Sequence, residues 1–154
     1  MTAPDIILYQ QAIGCPIEDI EQLIKDTLAK TEVNDFRIVS RVKNPKNLEK
    51  KKGLKQVTSV LEIEDVYALR VLVKTERHIY TVSEIIAKSF RHYIDHNFIQ
   101  NPKILPHQTH LPSLRLLQII AYRNDIPFEI QITTFEYHEV NESLHQRYHQ
   151  RTYG

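Results

Sequence analysis

I-E-D-V-Y-A-L-R-V-L-V, Ile63 to Val73, runs from an acidic pair, Glu64 and Asp65, straight into apolar residues that Arg70 alone interrupts. From Tyr67 to Lys74 the run is near-continuous, which predicts a buried central strand rather than one with a wet face. Upstream, Phe36, Ile38, Ser40 and Val42 alternate with Arg37, Val39, Arg41 and Lys43, a second strand with one face ending in cations. Asn44 and Pro45 then suit the N-cap and first turn of a short basic helix. Before that strand, Ile17, Ile20, Leu23, Ile24 and Leu28 recur at helical spacing behind Pro16, so a helix is expected over 16–30.

Downstream, Ile79, Val82, Ile85, Ile86 and Phe90 outline an amphipathic helix. Residues 92–113 carry Pro102, Pro106 and Pro112 among scattered histidines with no clear period, and read as a long loop. Loops of such length are uncommon unless they serve a function. Leu114 to Tyr122 reads as a strand and Arg123 to Asp125 as a turn. In the next strand Phe128, Ile130 and Ile132 form the core face, while Glu129, Gln131 and Thr133 form an exposed one. Thr133 and Glu136 make a capping box for a last helix reaching about Arg151. This order predicts an α/β (α+β) sandwich, a mixed sheet flanked by helices, in one domain spanning 1–154.

The chain has 154 residues, 42% hydrophobic and 25% charged, values that fit one packed domain and argue against disorder. No apolar run reaches the length of a membrane span, so no membrane partner is expected. A single cysteine, Cys15, excludes an internal disulfide and fits a reducing compartment, with the cytoplasm as the expected one. Net charge is only +1, but its distribution is uneven. Arg37, Arg41, Lys43, Lys46, Lys50, Lys51, Lys52 and Lys55 face one acid, Glu49, whereas acids dominate 62–65. A phosphate site with a metal needs such a pairing; a solvated basic helix shows the same charges. Three scattered glycines, Gly14, Gly53 and Gly154, cannot build a glycine-rich phosphate loop. Any bound polyphosphate must then be held by side-chain cations and a metal.

Other constellations carry less. His138, Glu142, His145 and His149 form one polar stripe on the last predicted helix; such stripes can hold zinc but are usually solvated. Nothing near Cys15 suggests an activated thiol. Tyr137, Tyr148 and Tyr153 among Arg147 and Arg151 could stack on RNA, although tyrosines at helical spacing more often pack.

Three segments in register, R-V-K-N-P-K-N-L-E-K-K (Arg41 to Lys51), I-E-D-V-Y-A-L-R-V-L-V and E-I-Q-I-T-T (Glu129 to Thr134), resemble the RelA/SpoT alarmone synthetase domain. F-R-H-Y-I at Phe90 to Ile94 is similar to that family's F-K-D-Y-I. The resemblance implies a nucleotidyltransferase-like fold that moves pyrophosphate from ATP to the 3′-hydroxyl of GTP or GDP. It implies that Arg41, Lys43 and Lys51 grip the ATP phosphates and base, and that Arg70 with Arg41 flanks the adenine; Lys50, beside Lys51 on the following turn or helix, adds a cation that can converge on the same triphosphate. It further implies that Asp65 and Glu129 are the two acids of the site. Asp65 would ligate Mg2+, and Glu129 would bind metal or act as general base. Gln131, in E-I-Q-I-T-T, and Arg115, from outside these segments, complete the expected nucleotide-binding set. Asp65 and Glu129 should accordingly be exposed and close together at one end of the sheet.

The likeness fails on the acceptor side. Where the family has N-G-Y-x-S-L-H, this chain has T-H-L-P-S-L-R, with Leu111 in place of the guanine-stacking tyrosine and Arg115 in place of the histidine. The arginine of E-I-Q-I-R-T is Thr133, and the serines of R-V-K-S-x-x-S are Asn44 and Asn47. The acceptor expected from this is a guanine nucleotide, another nucleotide or an RNA end, with an inactive nucleotide- or RNA-binding module as the alternative. Oligomeric state is left open by the sequence.

Overall fold

The computed structural model describes residues 16–42, 67–103, 113–123 and 126–153, except for the side chains at 16–17, 41–42 and 145–153. Helix α1 is Pro16–Leu28, and its apolar stripe of Ile20, Ile24 and Leu28 is buried, as the spacing predicts. Strand β1 is Phe36–Val42 and β2 is Tyr67–Val73. Helix α2, Glu76–Ser89, is capped by Thr75, whose side chain accepts from the His78 backbone N–H. It buries Ile79, Val82, Ile85 and Ile86, each worth about 1.5–3 kcal/mol of transfer free energy. It ends at Phe90, whose ring meets Phe128 edge-on at 5.2 Å.

Strands β3 (Arg91–Asn97), β4 (Leu117–Arg123) and β5 (Ile126–Thr134) complete a five-stranded mixed sheet in the order β1-β2-β5-β4-β3. Only β2 and β5 run parallel, with α2, β3 and β4 forming the connection between them. The long helix α3, Phe135–Tyr153, follows β5 at once. Leu69, Val71, Ile119, Ile130 and Ile132 share one core with the apolar faces of α1 and α2. The opposite face presents Arg70, Glu129, Gln131 and Thr133, and α3 contacts β2 and β5 there, with Asn141 and Leu144 buried. Strand β2 is thus covered on both sides, which is why Ala68 and Leu72 are as apolar as Leu69 and Val71.

Three expectations need correction. Residues 92–97 of the expected 92–113 loop belong to the edge strand β3, and Lys103 bridges to Leu114. Pairing to β4 shifts register between Ile94 and His96, and that irregularity breaks the alternation by which a strand is recognised. As an edge strand it also tolerates R-H-Y-I-D-H-N, with few apolar residues to betray it. Second, the cap of α3 is Thr134, whose hydroxyl accepts from the Tyr137 backbone N–H at 3.0 Å. Thr133 instead is buried and donates its hydroxyl to the Arg115 carbonyl at 2.8 Å. Third, the face of β5 expected to be exposed is covered: Glu129 is only 7% exposed and Thr133 1%. Strand periodicity separates two faces but cannot tell which of them a later helix will roof. The expected basic helix after Asn44 lies outside the described residues; of the turn expected at Arg123 to Asp125, Arg123 is the last residue of β4 and pairs with Ile126, and residues 124 and 125 lie outside the described residues.

Candidate functional site

The register of the sheet sets the site. Ala68 pairs with Arg41 on one side and Glu129 on the other, and Arg70 pairs with Val39 and Gln131. Directly paired residues project to the same face, so Val39, Arg70 and Gln131, with Ala68 and Glu129 beside them, stack on the α3 side. An open cleft of about 230 Å³ sits there, walled by Arg37, Val39, Arg70, Gln131, His138 and Glu142, with Ala68 also lining it.

A run of hydrogen bonds crosses its floor. Arg70 donates from Nε to Gln131 Oε1 at 3.1 Å and from Nη1 to Glu142 Oε1 at 2.5 Å. Gln131 then donates from Nε2 to Glu129 Oε1 at 2.7 Å. The amide of Gln131 therefore hands the positive character of Arg70 on to a buried carboxylate. Glu129 is one hydrogen bond inward from the cleft rather than facing solvent, as the sequence led one to expect. His138, on the α3 wall, has its pKa pushed down, first by burial and then by the charge of Arg70, with Arg37 acting the same way and Glu142 and Glu139 opposing. A neutral His138 is what this cleft favours.

A second cluster forms at the far end of β5, about 13 Å along the strand from Glu129 to Thr133. Arg115 donates from Nη1 to the Tyr137 hydroxyl at 2.9 Å, lies 3.7 Å from Glu76 Oε1, and stands over the Tyr137 ring. The Tyr137 hydroxyl donates to Glu76 at 2.5 Å, and this bond is the main cause of its raised pKa. Asn141 brackets the Arg115 backbone, accepting from its N–H and donating to its carbonyl. Ser113 and Arg115 line a separate hollow with Tyr137 and Asn141. Arg115 does not line the Arg70 cleft.

Of the residues expected from the sequence, the structure brings Arg70, Gln131 and Glu129 together and sets Arg115 apart. Arg41 is placed by its backbone pairing with Ala68, in the row of Glu129. Its side chain, together with Lys43, Lys50, Lys51, Asp65 and Leu111, lies outside the described residues. Of two further wall residues, Arg37 was visible only as one charge of the basic block, and Val39 carried no signal beyond strand alternation. His138 and Glu142 were noticed for metal-ligand spacing, but Glu142 is spent on Arg70. Among the described residues no three histidine, cysteine or acidic side chains gather as a metal site, and His145 and His149 lie outside that description. The two acceptor-side departures at positions 133 and 115 are neighbours in space, joined by the Thr133 to Arg115 hydrogen bond.

Comparison with known proteins agrees with this architecture. The family described as a region found in RelA / SpoT proteins matches residues 40–153. No curated protein sequence matches the chain. Among solved structures the chain is similar to small alarmone synthetase 2 from Bacillus subtilis, with 19% identity, a TM-score of 0.68, and 98% of this chain and 82% of that one covered. It is similar to a GTP pyrophosphokinase family protein from Streptococcus pneumoniae, at 21% identity and a TM-score of 0.65, covering 97% and 80%. A third is small alarmone synthetase 1 from Bacillus subtilis bound to its product pppGpp, at 16% identity and a TM-score of 0.62, covering 92% and 79%. At these identities the likeness establishes the fold. Among the described residues no helix is long and apolar enough to cross a membrane.

Proposed function

Because the chain belongs to the RelA/SpoT family, matched over residues 40–153, we propose that it is a Mg2+-dependent pyrophosphokinase that binds ATP in the Arg70 cleft. The acceptor's 3′-oxygen bonds to the β-phosphorus of ATP, and the bond from that phosphorus to the oxygen bridging to the α-phosphate breaks. AMP leaves with that oxygen, and Glu129 takes the hydroxyl proton. The observation that carries this reading is the Arg70–Gln131–Glu129 run beside an open cleft: it joins a base-sized cationic surface to a carboxylate in a single hydrogen-bonded unit.

Each residue has a task. Arg70 offers its guanidinium plane to the adenine, and the exposed Val39 beside it offers apolar contact. Arg41, Lys43, Lys50 and Lys51 are the cations assigned to the phosphates, a need that follows from the missing glycine-rich loop. Gln131 orients the Glu129 carboxylate and shields it from bulk water. A carboxylate suits Mg2+, which takes hard oxygen ligands and needs only one or two acids, here Glu129 and Asp65. When bound, the metal would neutralise charge that develops on the transferred phosphoryl oxygens. The acceptor is a guanine nucleotide, another nucleotide or an RNA end carrying a 3′-hydroxyl. Small alarmone synthetase 1 with pppGpp bound supports a guanosine compound, whereas Leu111 and Thr133 argue for weaker guanine binding than a tyrosine and an arginine would give. The single cysteine fits work in the cytoplasm.

A binding module without turnover is the second reading, favoured by the burial of Glu129 and by the pairing of Arg70 with Glu142. Incubation with ATP labelled in the γ-phosphate and a panel of GTP, GDP, other nucleotides and short RNA separates the two. Transfer of label together with an equal yield of AMP supports the enzyme. Binding of ATP with no AMP under any acceptor refutes it in favour of the module.

A further inference from the structure

Arg70 is held at two edges of one plane. Glu142, on α3, accepts from Nη1 at 2.5 Å, while Gln131, on β5, accepts from Nε at 3.1 Å. A guanidinium is flat, so acceptors fixed at two edges set its orientation as well as its position. Without them a long cation whose side chain is 34% exposed would spread over many rotamers. Gln131 is itself tied to the buried Glu129, so that half of the clamp is anchored in the sheet. The Glu142 half arrives from a different element and is 43% exposed.

What the clamp leaves open is the face. Val39, 47% exposed, is the residue paired with Arg70 across β1 and β2, and both line the same cleft. A fixed cationic plane next to an apolar side chain suits a flat heteroaromatic ring, whereas a bare polyphosphate gains only from the charge.

We propose that Glu142 is a positioning residue for recognition of the donor's base: by holding Nη1 it presents the face of the Arg70 guanidinium to the purine. This rests on the ATP-binding reading above. Glu142 acts on a bound nucleotide in two opposite ways. Its negative charge repels any polyphosphate, so its removal alone strengthens binding of ATP and of inorganic tripolyphosphate alike. Loss of the clamp weakens only a ligand that carries a ring. The preference for ATP over tripolyphosphate cancels the first effect and keeps the second.

Calorimetric titration of the full chain with each ligand in the same magnesium buffer measures that preference in the unaltered protein, Glu142→Ala and Glu142→Gln. Glu142→Ala should lower it about three- to tenfold, while Glu142→Gln, which keeps an acceptor oxygen for Nη1, should retain it. In the ligand-free protein the Arg70 Nε–H proton, followed by NMR, should exchange with water faster in Glu142→Ala than in Glu142→Gln. A preference that survives Glu142→Ala, or equal exchange in the two variants, overturns the clamp and leaves the donor site standing. An unaltered protein with no preference for ATP removes the donor-site reading, and the clamp falls with it.

Discussion

Replacing Arg70 by alanine should separate stability from binding, because the side chain contributes little to the first and, in the proposed donor site, much to the second. Its partners are half exposed, so the Glu142 pair contributes about 0.2–1 kcal/mol. The Gln131 bond adds about 0.5–1.5 kcal/mol. For a chain of this length each kcal/mol moves Tm by about 2–4 °C, so a fall of roughly 1–10 °C is expected by calorimetry. Binding should suffer more in relative terms. A cation over a ring face contributes about 0.5–2 kcal/mol, a two- to thirtyfold loss in ATP affinity. The unpaired charge of Glu142 then faces the incoming polyphosphate and pushes in the same direction. Arg70→Lys sharpens the experiment, since it keeps the charge but has neither a planar face nor a fork for two acceptors. Titration should find Arg70→Lys nearly as weak as Arg70→Ala. Full ATP affinity in the lysine variant, or affinity within twofold of the original in the alanine variant, would refute a stacking role for Arg70.

Glu129→Gln should keep ATP binding by calorimetry while AMP formation falls about 10²–10⁴-fold, the range for losing a general base; undiminished turnover would move the base elsewhere. Thr133→Arg, which restores the family's residue, should destabilise the fold by about 1–3 kcal/mol in urea titration, because that site is buried against Arg115. Adding Arg115→His should recover part of that loss if the two departures compensate one another. The lowered pKa of His138 means that between its folded value and about 6.5 the unfolded chain binds more protons than the folded one. Its contribution is therefore complete above that window and is lost as pH falls through it. Urea unfolding at pH 7.5 and 5.5 should show a larger acid loss in the original protein than in His138→Gln; equal losses would contradict the cause given.

Elements that obey a clean period can be read from the order of residues alone. Helices α1 and α2 were legible because Ile20, Ile24 and Leu28, and then Ile79, Val82 and Ile86, repeat at the helical interval and are all buried. Strands β2 and β5 were legible for the same kind of reason, and the three motif segments carried the family with them. Strand β3 was hidden, since an edge strand with a register shift has neither a continuous apolar run nor a sustained alternation.

Tertiary structure decided the site. Alternation told Glu129, Gln131 and Thr133 from Ile130 and Ile132, yet only the docking of α3 onto that face could show that Glu129 and Thr133 are buried while Gln131 lines an open cleft. Residue 70 is 61 and 72 positions from residues 131 and 142, and their meeting follows from parallel pairing of β2 with β5 and from the path of α3. Nothing local in the sequence encodes that convergence. Side-chain period is a property of one element, whereas a hydrogen-bonded run through Glu142, Arg70, Gln131 and Glu129 is a property of three elements packed together.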